Sequence, residues 1–166
     1  MPLPSNLKQL PSSDSHNCFG CSTSNPHGLK MTFFTDEQAV YSEVNIPSHL
    51  CGWSNLVHGG VLFTILDEIM SWTAIYLLRR ITVTQSMQIE FLKPVPMDSK
   101  LYARGGIVST SGKHDVKTEG EIRTGSGSLC ASARADFKAF SPAVARRLGI
   151  ADQGSLEWFA QALDIT

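Results

Sequence analysis

Charge is scarce in this sequence and nowhere concentrated: Asp, Glu, Lys and Arg fill 17% of 166 positions, with 14 basic residues against 15 acidic ones. Without a basic cluster the chain lacks the electrostatic footprint for a phosphate backbone, so nucleic acid is not an expected partner. An unbroken apolar run of the roughly 20 residues that span a bilayer is also missing. The richest stretch, Val61 to Leu78, is interrupted by Asp67, Glu68 and Ser71, and no membrane partner is expected. The opening Met1-Pro2-Leu3-Pro4-Ser5-Asn6 has neither the basic region nor the apolar core of a secretory signal. Cysteine occurs only at positions 18, 21, 51 and 130, which does not suit a disulfide scaffold; a cytoplasmic, reducing setting is the expectation. What is abundant is apolar residue, at 42%, enough for the core of one compact domain.

Residues 1–29 are rich in Pro, Ser, Asn and Gly and read as an extended lead-in. Met31–Phe34 and Ala39–Ile46 read as two strands around the polar turn Thr35-Asp36-Glu37-Gln38. An irregular loop from Pro47 to His58 follows, and Gly59 to Leu78 reads as one helix about 30 Å long at 1.5 Å per residue. Thr82–Phe91, Lys100–Thr110, Asp115–Thr124 and Ser128–Phe140 read as four more strands, taken as a meander, and 141–166 as a weakly helical tail. The plan is α+β: about six curved antiparallel strands in a domain spanning 30–140, wrapped around one central helix, which is the hotdog arrangement.

On a helical wheel Leu62, Ile65, Leu66, Ile69, Met70, Trp72, Thr73, Tyr76 and Leu77 share one broad arc that faces the sheet. The other sector holds Gly60, Thr64, Asp67, Glu68, Ser71 and Ala74, small or carboxylate residues without a Lys or Arg. Small residues allow close approach, so this sector is a candidate contact surface for a second copy of the helix. The plain alternative is a solvated helix face carrying two ordinary surface acids.

Val57-His58-Gly59-Gly60 sets two glycines at the helix start, where backbone N–H groups lack partners and the macrodipole is positive. Such an end can stabilise a carbonyl that becomes a tetrahedral oxyanion, by about 3 kcal/mol per donor. A tight loop-to-helix turn is the simpler use of the same glycines. His58 is more simply an orienting or capping residue than a proton carrier. If Gly59 supplies the donor and Asp67 the base, eight residues, or about 12 Å of helix, separate them, and one carbonyl cannot touch both. Two helices packed antiparallel across a two-fold axis remove that obstacle, each site then combining Gly59 of one chain with Asp67 of its partner.

These residues resemble the PaaI-type hotdog thioesterases of the thioesterase superfamily. The resemblance rests on Val57-His58-Gly59-Gly60-Val61-Leu62, on Asp67 nine positions after His58, and on Thr84-Gln85-Ser86-Met87-Gln88-Ile89-Glu90-Phe91-Leu92-Lys93-Pro94. It extends over about 17–140, including Asn17-Cys18-Phe19-Gly20-Cys21 and Asn25-Pro26-His27-Gly28-Leu29-Lys30. The resemblance implies an acyl-CoA thioesterase, a homodimer or homotetramer, in which Asp67 is general base or nucleophile, Gly59 gives the oxyanion N–H and Thr84 positions the attacking water. Where some members carry an Asn six residues before the His, this chain has Gly52, with Asn55 only three before; Glu68 is the substitute for Asp67. No bound cofactor is implied beyond coenzyme A as part of the substrate. Related proteins hold the nucleotide end of CoA near basic loops such as Ser111-Gly112-Lys113-His114, which makes Gly112 and Lys113 candidate CoA contacts; a solvated turn is the alternative. Two rival readings are a non-catalytic acyl-CoA or lipid-binding hotdog protein and a hotdog enoyl-CoA hydratase.

Two constellations remain. Cys18-x-x-Cys21, with His16, His27 and Cys51 nearby, has part of a zinc ligand set, but no second Cys-x-x-Cys follows and no metal is expected. Trp53, Phe63, Met70 and Trp72 line an acyl pocket or, more simply, the core.

Overall fold

Twenty residues from Gly59 to Leu78 carry apolar side chains at helical spacing, and in the computed structural model they form a single helix, α1. The model describes residues 3–14 and 16–164; Met1, Pro2, Ser15, Ile165 and Thr166, which belong to the expected lead-in and tail, lie outside the described residues. The strands are β1 (Lys8–Gln9), β2 (Phe34–Thr35), β3 (Val40–Val44), β4 (Ile81–Phe91), β5 (Leu101–Ser111), β6 (Asp115–Thr124) and β7 (Leu129–Phe140), and two further helices close the chain, α2 (Pro142–Arg147) and α3 (Gln153–Leu163). All seven strands join one antiparallel sheet in the order β1-β2-β3-β5-β6-β7-β4. A curved sheet around one long helix is the hotdog fold.

The expected sheet of about six strands has a seventh, because Lys8–Gln9 of the lead-in pairs with Phe34–Thr35; one expectation needs correction. The last four strands are not a meander: β5, β6 and β7 follow one another, but β4 pairs with β7 at the far edge. The link from β4 to β5 explains this. It contains Pro94 and Pro96, which lack the N–H a tight ladder needs, and it sinks Val95 into the core while Val95 O accepts from Val57 N at 2.8 Å. That anchored crossing is too long for a hairpin and delivers the chain to the other side of the sheet.

Ile65, Leu66, Ile69 and Met70 of α1 are fully buried against the sheet, with Leu101, Ile122 and Phe137 from the strands. Gly105 and Gly120 stand opposite one another in the β5–β6 ladder. A Cβ at Gly105 would overlap Thr73 and approach Ile69 O to 2.8 Å, so the missing side chain is what lets α1 lie against the strand. By length and composition alone α1 would also suit a bilayer span, but most of its apolar surface is taken up by the sheet.

The helix sector assigned to a second copy is open over only part of its length. Gly60, Phe63, Thr64 and Asp67 remain at least partly exposed, whereas Ala74 is fully buried and Leu77, expected inside, is half-buried. The segment just before β2 and helix α3 close the later turns: Phe33 stacks on Trp72 at 4.7 Å between ring centres, and Trp158 meets Trp72 edge-on at 6.2 Å.

Candidate active site

The loop before α1 is shaped by its own hydrogen bonds. Gly52 N donates to Leu56 O at 2.7 Å, and Val57 is held by Val95, which brings His58 to the helix N-cap with an extended backbone. There the His58 ring turns back, and its Nδ1 accepts from Gly60 N at 2.9 Å. This is a cap, satisfying one of the orphan donors of the first turn. Val61 N and Leu62 N both donate to His58 O. Gly59 N is therefore the amide of this turn left without an acceptor among the described residues. A Cβ at Gly59 would meet only the Phe91 ring, at 3.5 Å, so the start of the helix lies beside an exposed aromatic edge.

Asp67 lies two turns further along the same helix, half-buried, and Thr84 Oγ1 of β4 donates to its Oδ1 at 2.7 Å. Burial raises the Asp67 carboxyl above the usual carboxylate range, the Thr84 hydrogen bond opposes that shift, and negative charge on Cys18 adds to it. The result is a carboxylate made more basic than usual while one oxygen is held by a hydroxyl. Thr84 sits beside an irregularity: the ladder to β7 runs Thr84↔Phe137 and then Ser86↔Asp136, leaving Gln85 as an extra residue.

Glu68 is not brought to this pair. It points to the lead-in, where Cys18 Sγ lies 3.4 Å from its Oε1 and Gly20 packs against its carboxyl group. Burial, and then the charge of Cys18, push Glu68 up to about 8. Cys18 is lowered chiefly by a hydrogen bond from the Cys21 thiol, and Cys21 is raised by the same contact. The sequence offered Cys18 and Cys21 as part of a zinc ligand set with His16, His27 and Cys51 but did not connect them to Glu68; the turn of α1 that aims Glu68 at them is a three-dimensional fact.

Gly112, with a positive φ of 59°, and Lys113 form the β5–β6 hairpin tip. Asp115, at the base of this tip, pairs with Lys138, which pairs with Val83, so the base of the hairpin is two strand spacings, or about 10 Å, from the β4 residue beside Thr84. Trp53, Phe63, Met70 and Trp72 do not form one pocket: Trp53 is 87% exposed and Phe63 39%, while Met70 and Trp72 are core. A surface depression of about 430 Å³, on the face of the sheet away from α1 among Arg104, Glu119, Glu121 and Arg134, contains none of these residues.

The model of the thioesterase superfamily matches residues 54–131, a span that contains Gly59, Asp67 and Thr84. No curated protein sequence matches the chain. Among solved structures, a hypothetical thioesterase from Streptococcus pneumoniae, determined with coenzyme A, superposes with a TM-score of 0.57 at 24% identity, covering 61% of this chain and 81% of that one. The PaaI protein of the Escherichia coli phenylacetic acid degradation operon gives 0.61 at 18% identity, covering 68% and 80%. A thioesterase from Haemophilus influenzae gives 0.62 at 20% identity, covering 68% and 79%. At these identities the likeness is one of fold.

Proposed function

Starting from a hotdog chain whose residues 54–131 match the thioesterase superfamily, we propose that it hydrolyses acyl-CoA thioesters to the free acid and coenzyme A. The observation that carries this reading is the Thr84–Asp67 hydrogen bond of 2.7 Å, which holds a carboxylate of raised basicity on the open side of α1. A binding protein has no need of such a group. Asp67 removes a proton from water, the water oxygen adds to the thioester carbon, and the oxyanion is met by the unpaired Gly59 amide. The C–S bond then breaks, and the sulfur of CoA leaves with the proton that Asp67 took. Thr84 orients the carboxylate and the attacking water; His58 and Gly60 act indirectly, by forming the cap that leaves Gly59 as the donor.

The same reading requires a dimer. Gly59 and Asp67 are about 12 Å apart along one helix, further than one reacting carbonyl reaches. Support comes from β4, an eleven-residue edge strand paired on one side only, whose residues are mostly exposed. Long unpaired edges are templates for another strand. A second β4 alongside would set two α1 helices antiparallel, and the open stripe of Gly60, Thr64 and Asp67 has the small side chains for their contact. The hairpin tip with Gly112 and Lys113 is the proposed contact for the nucleotide end of CoA. Coenzyme A enters as part of the substrate, and the reaction needs no other cofactor.

Hydrolysis of a panel of acyl-CoAs by wild type and Asp67→Asn tests the proposal. The expected outcome is a fall of about 10²- to 10⁴-fold for the variant, the range of a lost general base. Equal rates would take Asp67 out of the reaction, and no hydrolysis by wild type would favour the binding-protein reading.

A further inference from the structure

The cluster of Cys18, Cys21 and Glu68 is not used by the reaction above. One donor atom from each lies within 4.8 Å of the other two. A tetrahedral zinc ion, with Zn–S of about 2.3 Å and Zn–O of about 2.0 Å, sets its sulfur and oxygen ligands about 3.5 Å apart. Cys18 Sγ and Glu68 Oε1 are 3.4 Å apart.

The surroundings hold this arrangement in advance. The Cys18–Cys21 turn closes on itself through Ser22 N donating to Cys18 O at 3.3 Å. It is tied to the following segment by Leu29 N to Phe19 O at 2.9 Å and Met31 N to Gly20 O at 3.0 Å. A Cβ at Gly20 would overlap the Glu68 carboxyl group, so only glycine lets the turn seat directly on that side chain. Among the described residues no Lys, Arg or His forms an ion pair with Glu68. Two sulfur donors and a carboxylate thus converge with no organic cation to balance them, and sulfur donors select a soft divalent ion over magnesium or calcium.

We propose that Cys18, Cys21 and Glu68 bind one thiophilic divalent cation, zinc by its chemistry, with solvent at the fourth position. His16 lines the same cavity of about 290 Å³, together with Ser71 and Trp158. It is not the fourth ligand as placed: its Nδ1 accepts from Cys18 N at 3.2 Å, which leaves the proton of a neutral ring on Nε2. The ion would fasten the Cys18–Cys21 turn of the lead-in to α1 one residue from Asp67.

The test uses the full chain, free of any affinity tag and kept reduced, stripped with a chelator and given one equivalent of Zn²⁺ or Co²⁺. The expected result is one zinc per chain retained through gel filtration and, with cobalt, a sulfur-to-metal charge-transfer band. Cys18→Ser and Cys21→Ser should each weaken that band and raise the zinc Kd by at least about 10-fold, the lower end of what losing even a supporting partner costs a zinc site. Glu68→Gln should weaken affinity similarly while keeping the band, and it serves as the readout if a cysteine variant fails to fold. Failure of wild type to retain zinc, equal retention by the cysteine variants, or unchanged affinity in Glu68→Gln would each overturn the site.

Discussion

At the level of single residues the proposed hydrolysis depends on which amide of the His58-Gly59-Gly60 turn is free. The sequence places two glycines at a helix start, but it does not say which N–H keeps its capacity, because that depends on where the His58 ring lies. The ring caps Gly60, so Gly59 is left. This yields a paired prediction. Gly59→Pro should keep the helix, since proline is accepted at the first helical position and His58, at φ −63° and ψ 136°, already has the backbone that precedes a proline. It removes the N–H, and kcat should fall about 10²- to 10³-fold with circular dichroism unchanged. Gly59→Ala keeps the N–H and should cost far less, its Cβ making an ordinary contact with Phe91. Comparable losses in both would mean that shape, not hydrogen bonding, matters at this position.

The Asp67–Thr84 pair gives a pH prediction. Asp67 works deprotonated, so activity should fall as pH drops through its raised pKa, above the range of an ordinary aspartate. Because the Thr84 hydrogen bond holds that pKa down against burial, Thr84→Val should shift the acid limb to higher pH. It should also lower kcat about 10- to 100-fold, the size of one hydrogen bond to a charged group. An unmoved limb would separate Thr84 from the titrating carboxylate. That Asp67 rather than Glu68 meets the threonine could not be settled from adjacent acids in a sequence; 100° of helix rotation sends Glu68 to Cys18 instead.

At the scale of elements the long periodic segments were the legible ones. Gly59–Leu78 and Asp115–Thr124 carry helical and alternating patterns to their ends, and the structure starts and stops them there. The two-residue strand Lys8–Gln9 has too few residues to show any period, and its partner is 25 positions away. Strand order was hidden for another reason: Val95 anchors the β4–β5 link through tertiary packing that no local pattern encodes. The unpaired β4 edge and the open part of α1 make Thr64 a point of leverage, as its side chain lies on the stripe assigned to helix contact. Thr64→Arg should yield a folded monomer by light scattering and circular dichroism, with hydrolysis reduced at least about 100-fold if each site needs both chains. A monomer with wild-type rate would sever assembly from activity.

For the molecule as a whole, α1 sets the central problem and suggests its solution. On the proposed reading one helix carries an oxyanion donor at its start and a base two turns on, along a stretch where Gly60, Phe63, Thr64 and Asp67 stay at least partly exposed. The claim that two chains share each site is tested most directly by mixing two inactive variants, Gly59→Pro and Asp67→Asn, and allowing subunits to exchange. If each site takes its amide from one chain and its carboxylate from the other, half of the dimers become mixed and each regains one intact site, so about one quarter of wild-type activity should return. No recovery despite demonstrated exchange would mean that both groups act within one chain, contradicting the shared site.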